Sequence, residues 1–225
     1  MAVITISRQF GAGGATVANL LADHLHIDII DQSLIAEVAR RAALEPADVE
    51  AEDERPTTLL DRLALSFSPL AAGFGIAWEP PYPDPTFDPR REVLMLTQDV
   101  IREAAKTGNV VIVGRGGAHV LRDDARALHV FLHADAQFRS RIVMERERID
   151  RAAADRRVHE MDANRAAYVH QVYGRDWNDV RLYHLAIDTG RIGFDGAAAL
   201  IERGLLARGG GEPGAGGQQE VRPGA

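Results

Sequence analysis

Apolar residues recur along the chain in two spacings, and their alternation defines a series of strands and helices. The first helical segment carries Val17, Leu20, Leu21 and Leu25 on one stripe, which predicts a helix beginning near Ala15. This alternation predicts an α/β fold built from βα units around a buried parallel sheet. Five short aliphatic or β-branched runs are typical of its strands: VITI (3–6), IDII (27–30), VVIV (110–113), LHVFL (128–132) and HLAID (184–188).

Helical spacing continues through most of the remaining chain. Between 44 and 89 the pattern decays into acidic, proline-rich sequence, which we interpret as an excursion from one domain spanning 1–207. Residues 208–225 are almost devoid of apolar side chains and are predicted to be a disordered tail. The further helices are predicted at 33–43, 59–67, 90–106, 135–148, 152–173 and 195–207.

Composition narrows the class of protein. The 225 residues suffice for one continuous core, and the absence of cysteine excludes a disulfide framework, a thiolate metal site and a cysteine nucleophile. No apolar run is long enough to span a membrane, so we expect a cytoplasmic protein without a membrane partner. The net charge of −7 disfavours a nucleic-acid partner. A small phosphorylated ligand held by a local basic site is the expectation, while a protein partner and the oligomeric state stay open.

The stretch SRQFGAGGAT (7–16) lies between the first strand and the first helix, where a phosphate-binding loop would sit. Glycines let the backbone approach an anion closely, and the amides and dipole of a helix N-terminus attract phosphate. Thr16 would offer its hydroxyl to Mg²⁺. The alternative is a tight turn whose glycines serve packing alone. The general pattern GxxxxGK[ST] asks for glycine at 8 and lysine at 14, where this chain has Arg8 and Gly14.

Positive charge for this loop must come from arginine. The chain has 25 arginines and one lysine, Lys106, which precedes the strand at 110 and is predicted at the amino edge of the sheet. Ligands of doubly wound sheets bind at the opposite, carboxyl edge. Arg115, between glycines in VVIVGRGGAHVL (110–121), is suited to bidentate phosphate contact, although a surface turn is the alternative. Most arginines of 138–165 are expected to be solvated, with a few closing over phosphates.

Together these stretches resemble the cytidylate kinase-like family, a branch of the P-loop nucleoside monophosphate kinases, over about residues 3–205. The similarity lies in ITISRQFGAGG, IDIIDQSLI, VVIVGRGGAHVL, VFLHADAQFRSRIVMERE and the segment from DANRAAYVHQVYGRDWND to the end of the domain. It implies a three-layer sandwich with a five-stranded parallel sheet in the order 2-3-1-4-5. It also implies ATP and Mg²⁺ as cofactors.

The resemblance further implies roles for individual residues. It assigns the acceptor phosphate to Arg115, places Asp31 near the acceptor, and makes the excursion 44–89 the acceptor-binding segment. It also makes 138–173 a lid-like helical region over the transferring phosphoryl group. Asp188 and Thr189 resemble the loop near the donor base, and His184 stands where the family pattern has aspartate. The donor phosphates would be held by Gly11, Ala12, Gly13, Gly14, Ala15 and Thr16.

The missing lysine leads to a hypothesis about mechanism. Arg8, with Arg139 or Arg146 from the lid, would supply the charge that the lysine provides elsewhere. The predicted function is then ATP-dependent phosphoryl transfer to CMP, dCMP or a related phosphorylated acceptor. A catalytically silent nucleotide sensor and a kinase for a non-nucleotide small molecule are the alternatives. One further group of residues has helical spacing: Asp162, Arg165 and Tyr168, at i, i+3 and i+6. This group either belongs to a helix end that becomes ordered over the nucleotide, or packs the base of the lid.

Overall fold

The structure, a computed structural model, describes residues 2–31, 33 and 89–209. Of the helix predicted at 33–43, only residue 33 is described. The helix predicted at 59–67, the excursion as far as residue 88 and the predicted tail from residue 210 onward lie outside the described residues, whereas residues 208 and 209 of that tail belong to a helix. Everything below concerns the described part of the chain.

Five parallel strands form one sheet, as the hydrophobic pattern predicts. The central strand β1 pairs in register with β3 on one side (Val3 with Val110) and with β4 on the other (Val3 with Ala127). The order β2-β3-β1-β4-β5 confirms the order expected from the family resemblance. The strands are β1 (Val3–Arg8), β2 (Asp28–Ile30), β3 (Val110–Val113), β4 (Ala127–His133) and β5 (Leu185–Asp188).

The helices follow the predicted segments closely. All five of the longer predicted helices that fall on described residues are present, with ends displaced by two residues or fewer. Two four-residue helices and a 3₁₀ turn at Val180–Leu182 were not predicted, because such short elements show no period. The helices are α1 (Gly14–Leu25), α2 (Pro89–Thr107), α3 (Gly117–Val120), α4 (Ala136–Glu147), α5 (Arg151–Tyr173), α6 (Thr189–Ile192) and α7 (Phe194–Gly209).

Alternate residues of the strands enter different cores, which makes the fold a three-layer sandwich. Ile4 and Ile6 of β1 pack with α1 and α7 on one face of the sheet. Val3 packs with Ile101 of α2 on the other face. Strands buried on both faces explain the near-continuous aliphatic runs seen in the sequence.

Parallel strands bring the loops that follow β1, β2, β3 and β5 to one edge, the carboxyl edge, where ligands of such sheets bind. Lys106 lies at the opposite edge, as predicted, in the last turn of α2, where it pairs with Glu103 at 2.8 Å. None of the helices in the part of the chain described is long and apolar enough to cross a membrane.

Candidate phosphate-binding site

The glycine loop leaves β1 and turns directly into α1. Gly11 and Gly13 have φ angles of +82° and +76°, which favour glycine, and Gly13 caps the helix. No described side chain bonds to this helix cap, and Ala15 and Thr16 in the first turn are exposed. Since the first amides of a helix lack intrahelical partners, they face outward and are free to bind an anion.

The loop is tied to the rest of the domain on two sides. The Gln9 N–H donates to the Leu132 carbonyl at 2.9 Å, and the Gln9 side-chain oxygen accepts from the Ala134 N–H at 3.2 Å. The hydroxyl of Thr189, which is fully buried, donates to the Ala12 carbonyl at 3.0 Å. The backbone is therefore held in place before any ligand arrives, and Thr189 acts on the loop rather than facing solvent.

Arg8, the last residue of β1, crosses over the loop. A Cβ atom added to Gly14 would lie 2.7 Å from Cγ of Arg8, so the arginine stem fills the space in which a side chain at position 14 would begin. The Arg8 guanidinium lies against Gly114, in the loop after β3. One arginine thus bridges both glycine loops and occupies the region where the general motif has its lysine.

Burial and mutual repulsion make the charged forms of the arginines in this region less favourable than they are in water. Burial, together with the nearby Arg165 and Arg115, lowers the pKa of Arg8 to about 9, while Asp31 acts in the opposite direction. Burial also lowers the pKa of Arg165, with Asp162 opposing and Arg146 among the arginines adding to the effect. An anion bound among these groups would stabilise their charged forms.

Arg115 lies in a strained turn beside Arg8. Its φ is +53°, between Gly114 at +77° and Gly116 at +70°, and a left-handed conformation costs a non-glycine residue about 1 kcal/mol. The Gly114 N–H donates to the Ile6 carbonyl at 3.0 Å, which holds this loop against the end of β1. The structure thus brings Arg8 and Arg115 together, as their positions at strand ends predict.

The two lid arginines singled out in the sequence have different surroundings. Arg139 is 8% exposed, donates from Nε to the Ala134 carbonyl at 2.9 Å, and pairs through Nη1 with Asp162 at 2.5 Å. The side chain of Arg146 is 53% exposed and pairs with Glu147 at 2.7 Å. Arg146 therefore has access to a ligand, whereas Arg139 is engaged within the protein.

Arg165 is a site residue that sequence reasoning left open. It lies on α5, and its Nη1 donates to the Arg8 carbonyl at 2.7 Å. Its spacing from Asp162, one turn earlier, was the available signal. That spacing alone could not distinguish a ligand-facing arginine from lid packing.

The carboxylates predicted near substrate also lie at this edge. Asp31 follows β2 and accepts hydrogen bonds from the Ser33 N–H at 2.9 Å and hydroxyl at 2.6 Å. Asp188 ends β5 and accepts the N–H groups of Gly190 and Arg191 at 3.0 and 3.2 Å. Asp188 thus shapes the turn beside the loop.

Two aromatic rings flank the helix start. The ring of Phe194 occupies the space where a Cβ of Gly13 would lie, which explains why position 13 carries no side chain. Phe138 meets Phe194 edge to face with ring centroids 6.2 Å apart.

A Mg²⁺ ion would find few protein ligands here. Within residues 2–31, 33 and 89–209, no three or more His, Asp or Glu side chains gather as a metal site. The exposed Thr16 hydroxyl fits the role of a single protein ligand to an ion held chiefly by nucleotide phosphates.

Comparison with known proteins agrees with this architecture. The model of the cytidylate kinase-like family matches residues 3–191. A cytidylate kinase of Methanopyrus kandleri is 32% identical over 112 residues, which cover 46% of this chain and 58% of that protein. The match therefore spans little more than half the length of that relative. A cytidylate kinase of Halobacterium salinarum is 25% identical over 199 residues, covering 88% of this chain and 86% of that protein.

Among solved structures, an uncharacterized protein from Eubacterium ventriosum superposes with a TM-score of 0.67 at 23% identity, covering 92% of this chain and 99% of that one. At that identity the similarity concerns the fold alone. The family match extends over nearly all of the predicted domain and confirms the resemblance seen in the sequence. The chain belongs to the cytidylate kinase-like family.

Proposed function

We propose that the protein is an ATP-dependent phosphotransferase of the nucleoside monophosphate kinase type, with CMP, dCMP or a related small phosphorylated compound as acceptor. The observation that carries the proposal is the position of Arg8, whose stem packs on Gly14 where the lysine of the general motif would begin. Family membership and the cytidylate kinases among the relatives support the reaction class.

The glycine loop would bind the donor. The Ala12 N–H already donates to the Gln9 carbonyl at 3.2 Å. The amides of Gly11 and of Gly13 to Thr16 would donate hydrogen bonds to the β- and γ-phosphates, and the α1 dipole favours their negative charge. Since Gln9 and Ala12 are tied to neighbouring strand ends, these amides need little rearrangement to do so. Asp188 and Thr189 would support the donor site by shaping the turn beside it.

Arginines would supply the charge that phosphoryl transfer requires. The bond between the γ-phosphorus and the oxygen bridging to the β-phosphate breaks, and a bond to an oxygen of the acceptor phosphate forms. Arg8 and the exposed Arg146 would stabilise the transferring group, with Arg165 beside them. Arg115 would hold the acceptor phosphate next to Arg8, and Asp31 would orient the acceptor. Arg139, engaged with Asp162, would position the lid.

The exposed Thr16 hydroxyl would hold a Mg²⁺ ion at the donor phosphates, where the ion would supply positive charge.

The test is a turnover assay of the purified protein with Mg-ATP and a panel of nucleoside monophosphates, combined with calorimetric measurement of binding. We expect ADP formation with CMP or dCMP. Binding of ATP without turnover on any acceptor would instead support the nucleotide sensor. Turnover with a non-nucleotide small molecule alone would support the same phosphoryl-transfer reaction with a different class of acceptor.

A further inference from the structure

Phe10 is a large apolar residue in the middle of the glycine loop, and it does not pack into the sheet. It is 8% exposed and belongs to a small core with Val143 of α4 and Ala154 and Val158 of α5. The loop therefore inserts one side chain between the two lid helices. This contact couples the phosphate-binding backbone directly to the lid.

The backbone of Phe10 is held by one partly buried ion pair, Arg139–Asp162. Its N–H donates to Oδ1 of Asp162 at 2.7 Å, and its carbonyl accepts from Nη1 of Arg139 at 3.1 Å. The same Nη1 pairs with Oδ2 of Asp162. Each lid helix contributes one partner, so both polar groups of Phe10 are satisfied only when α4 and α5 are in place.

Three guanidinium groups surround the Phe10 ring. The carbon atoms of the Arg146, Arg165 and Arg157 guanidiniums lie 4.8, 5.4 and 5.7 Å from its centroid. All three are within the distance at which an aromatic face attracts a cation. Glu147 pairs with Arg146 at 2.7 Å and with Arg157 at 3.6 Å. Asp162, which is already paired with Arg139, attracts Arg165, so the three positive charges share two carboxylates and one ring.

We propose that Phe10 is a positioning residue: its ring gathers lid arginines over the glycine loop, and the Arg139–Asp162 pair fixes Phe10 where it can do so. The inference rests on the proposed function and names a residue that organises the same site. In the general motif a lysine anchored in the loop carries its own charge to the phosphates. Here the loop carries the aromatic ring of Phe10, which attracts positively charged arginines from the lid helices.

Replacing Phe10 by an aliphatic residue and by another aromatic residue distinguishes its positioning role from a role in packing alone. Phe10→Leu keeps an apolar side chain against Val143 and Val158 but removes the aromatic face. Phe10→Tyr keeps the face. Val143→Ala is the matched control, because it truncates a side chain of the same small core and removes neither a charge nor an aromatic face.

The measurements are the KM for Mg-ATP, kcat, the melting temperature, and amide hydrogen exchange of residues 143–165 in ligand-free protein. For Phe10→Leu we expect a KM about tenfold higher, a kcat about tenfold lower, and faster exchange in the lid helices, since the loss of a few cation–π contacts is of that order. Phe10→Tyr should return KM and kcat to within about threefold of wild type. Val143→Ala should lower the melting temperature and leave the KM unchanged.

Wild-type values for Phe10→Leu in KM, kcat and exchange would overturn the inference, as would a Val143→Ala variant with the same kinetic and exchange changes. Failure of the proposed function has a different signature, which is absence of turnover in the wild-type protein itself. In that case lid exchange in the ligand-free Phe10→Leu, Phe10→Tyr and Val143→Ala proteins still decides the role of the ring.

Discussion

The two edges of the sheet differ in how their cationic side chains are arranged. At the amino edge the cations form separate ion pairs, whereas at the carboxyl edge they cluster. At the amino edge, Lys106 pairs with Glu103 at 2.8 Å and Arg126 with Asp124 at 2.7 Å. At the carboxyl edge, arginines from three parts of the chain converge on the glycine loop. Around Arg8 and the Phe10 ring, six arginines have three carboxylates as electrostatic partners among the described residues. The arginines are Arg8, Arg115, Arg139, Arg146, Arg157 and Arg165, and the carboxylates are Asp31, Glu147 and Asp162.

This difference indicates which charges a bound anion would stabilise. Exposed one-to-one pairs contribute little to stability, and their loss should change little. Converging, partly buried cations raise the free energy of the ligand-free protein, and an anion relieves that cost. The net charge of −7 conceals this local excess of positive charge.

The largest effect should follow from removing Arg8. Arg8→Ala is expected to lower kcat/KM by about 10²- to 10⁴-fold, because the guanidinium would stabilise charge that develops in the transition state. Steady-state kinetics with Mg-ATP and the best acceptor measures this. The melting temperature of the variant serves as the folding control. A variant with wild-type turnover would remove Arg8 from the mechanism.

Arg115 should affect the acceptor more than the donor. For Arg115→Ala we expect the KM of the acceptor to rise about 10- to 100-fold, since a charge-assisted bidentate contact to phosphate is lost, while the KM for ATP stays within about threefold. Initial rates measured while each substrate is varied in turn separate the two. An unchanged acceptor KM would contradict the assignment.

The amino edge contains a histidine pair whose effect should appear in stability alone. His129 is 3% exposed, bonds through Nδ1 to the Thr5 hydroxyl at 2.8 Å, and its Nε2 has no hydrogen-bond partner in the described part of the chain. Burial, aided by His184, lowers the pKa of His129 to about 4. Between pH 6.5 and 4 the unfolded chain therefore binds more protons than the folded one, so stability falls as the pH drops through that range.

We expect the free energy of unfolding to decrease by about 3 kcal/mol between pH 7 and pH 4 through His129. Urea unfolding across this range, compared with His129→Leu, measures the contribution. The exposed His159 provides a matched control variant, His159→Gln, which should keep the wild-type pH dependence. A His129→Leu protein with that same dependence would be the contrary result.

The smallest effect should come from the paired amino edge. Arg126→Ala removes an exposed ion pair and should leave kcat/KM within about twofold and the melting temperature within about 2 °C of wild type. The same kinetic and thermal assays serve here. If Arg126→Ala lost as much turnover as Arg8→Ala, the proposed difference between the paired amino edge and the clustered carboxyl edge would be wrong.

Much of this organisation is predictable from the chain alone. The aliphatic runs predicted all five strands, and helical spacing predicted five of the seven described helices, because buried parallel strands and amphipathic helices leave strong periods. The place of Lys106 followed from topology. The strand order was implied by the family resemblance rather than by periodicity.

Side-chain partnerships were not predictable in the same way. Arg139 and Arg146 lie on one helix with similar neighbours in sequence, yet one is buried against Asp162 and the other is half exposed. That difference depends on where α5 crosses α4. The left-handed conformation of Arg115, the ring of Phe10 between the lid helices and the bond from Arg165 to the Arg8 carbonyl likewise arise from tertiary packing.

The central claim is that Arg8 takes the place of the absent lysine, and a double-mutant cycle tests it directly. Gly14→Lys alone should be impaired, since its Cβ would lie 2.7 Å from Cγ of Arg8. Arg8→Ala frees that space, so the measurement is kcat/KM of Arg8→Ala/Gly14→Lys beside both single variants, with melting temperatures to verify folding. We predict at least a tenfold recovery over Arg8→Ala, about 1.4 kcal/mol, so the coupling energy exceeds this value by the loss that Gly14→Lys causes alone. A double variant no more active than Arg8→Ala would contradict the account.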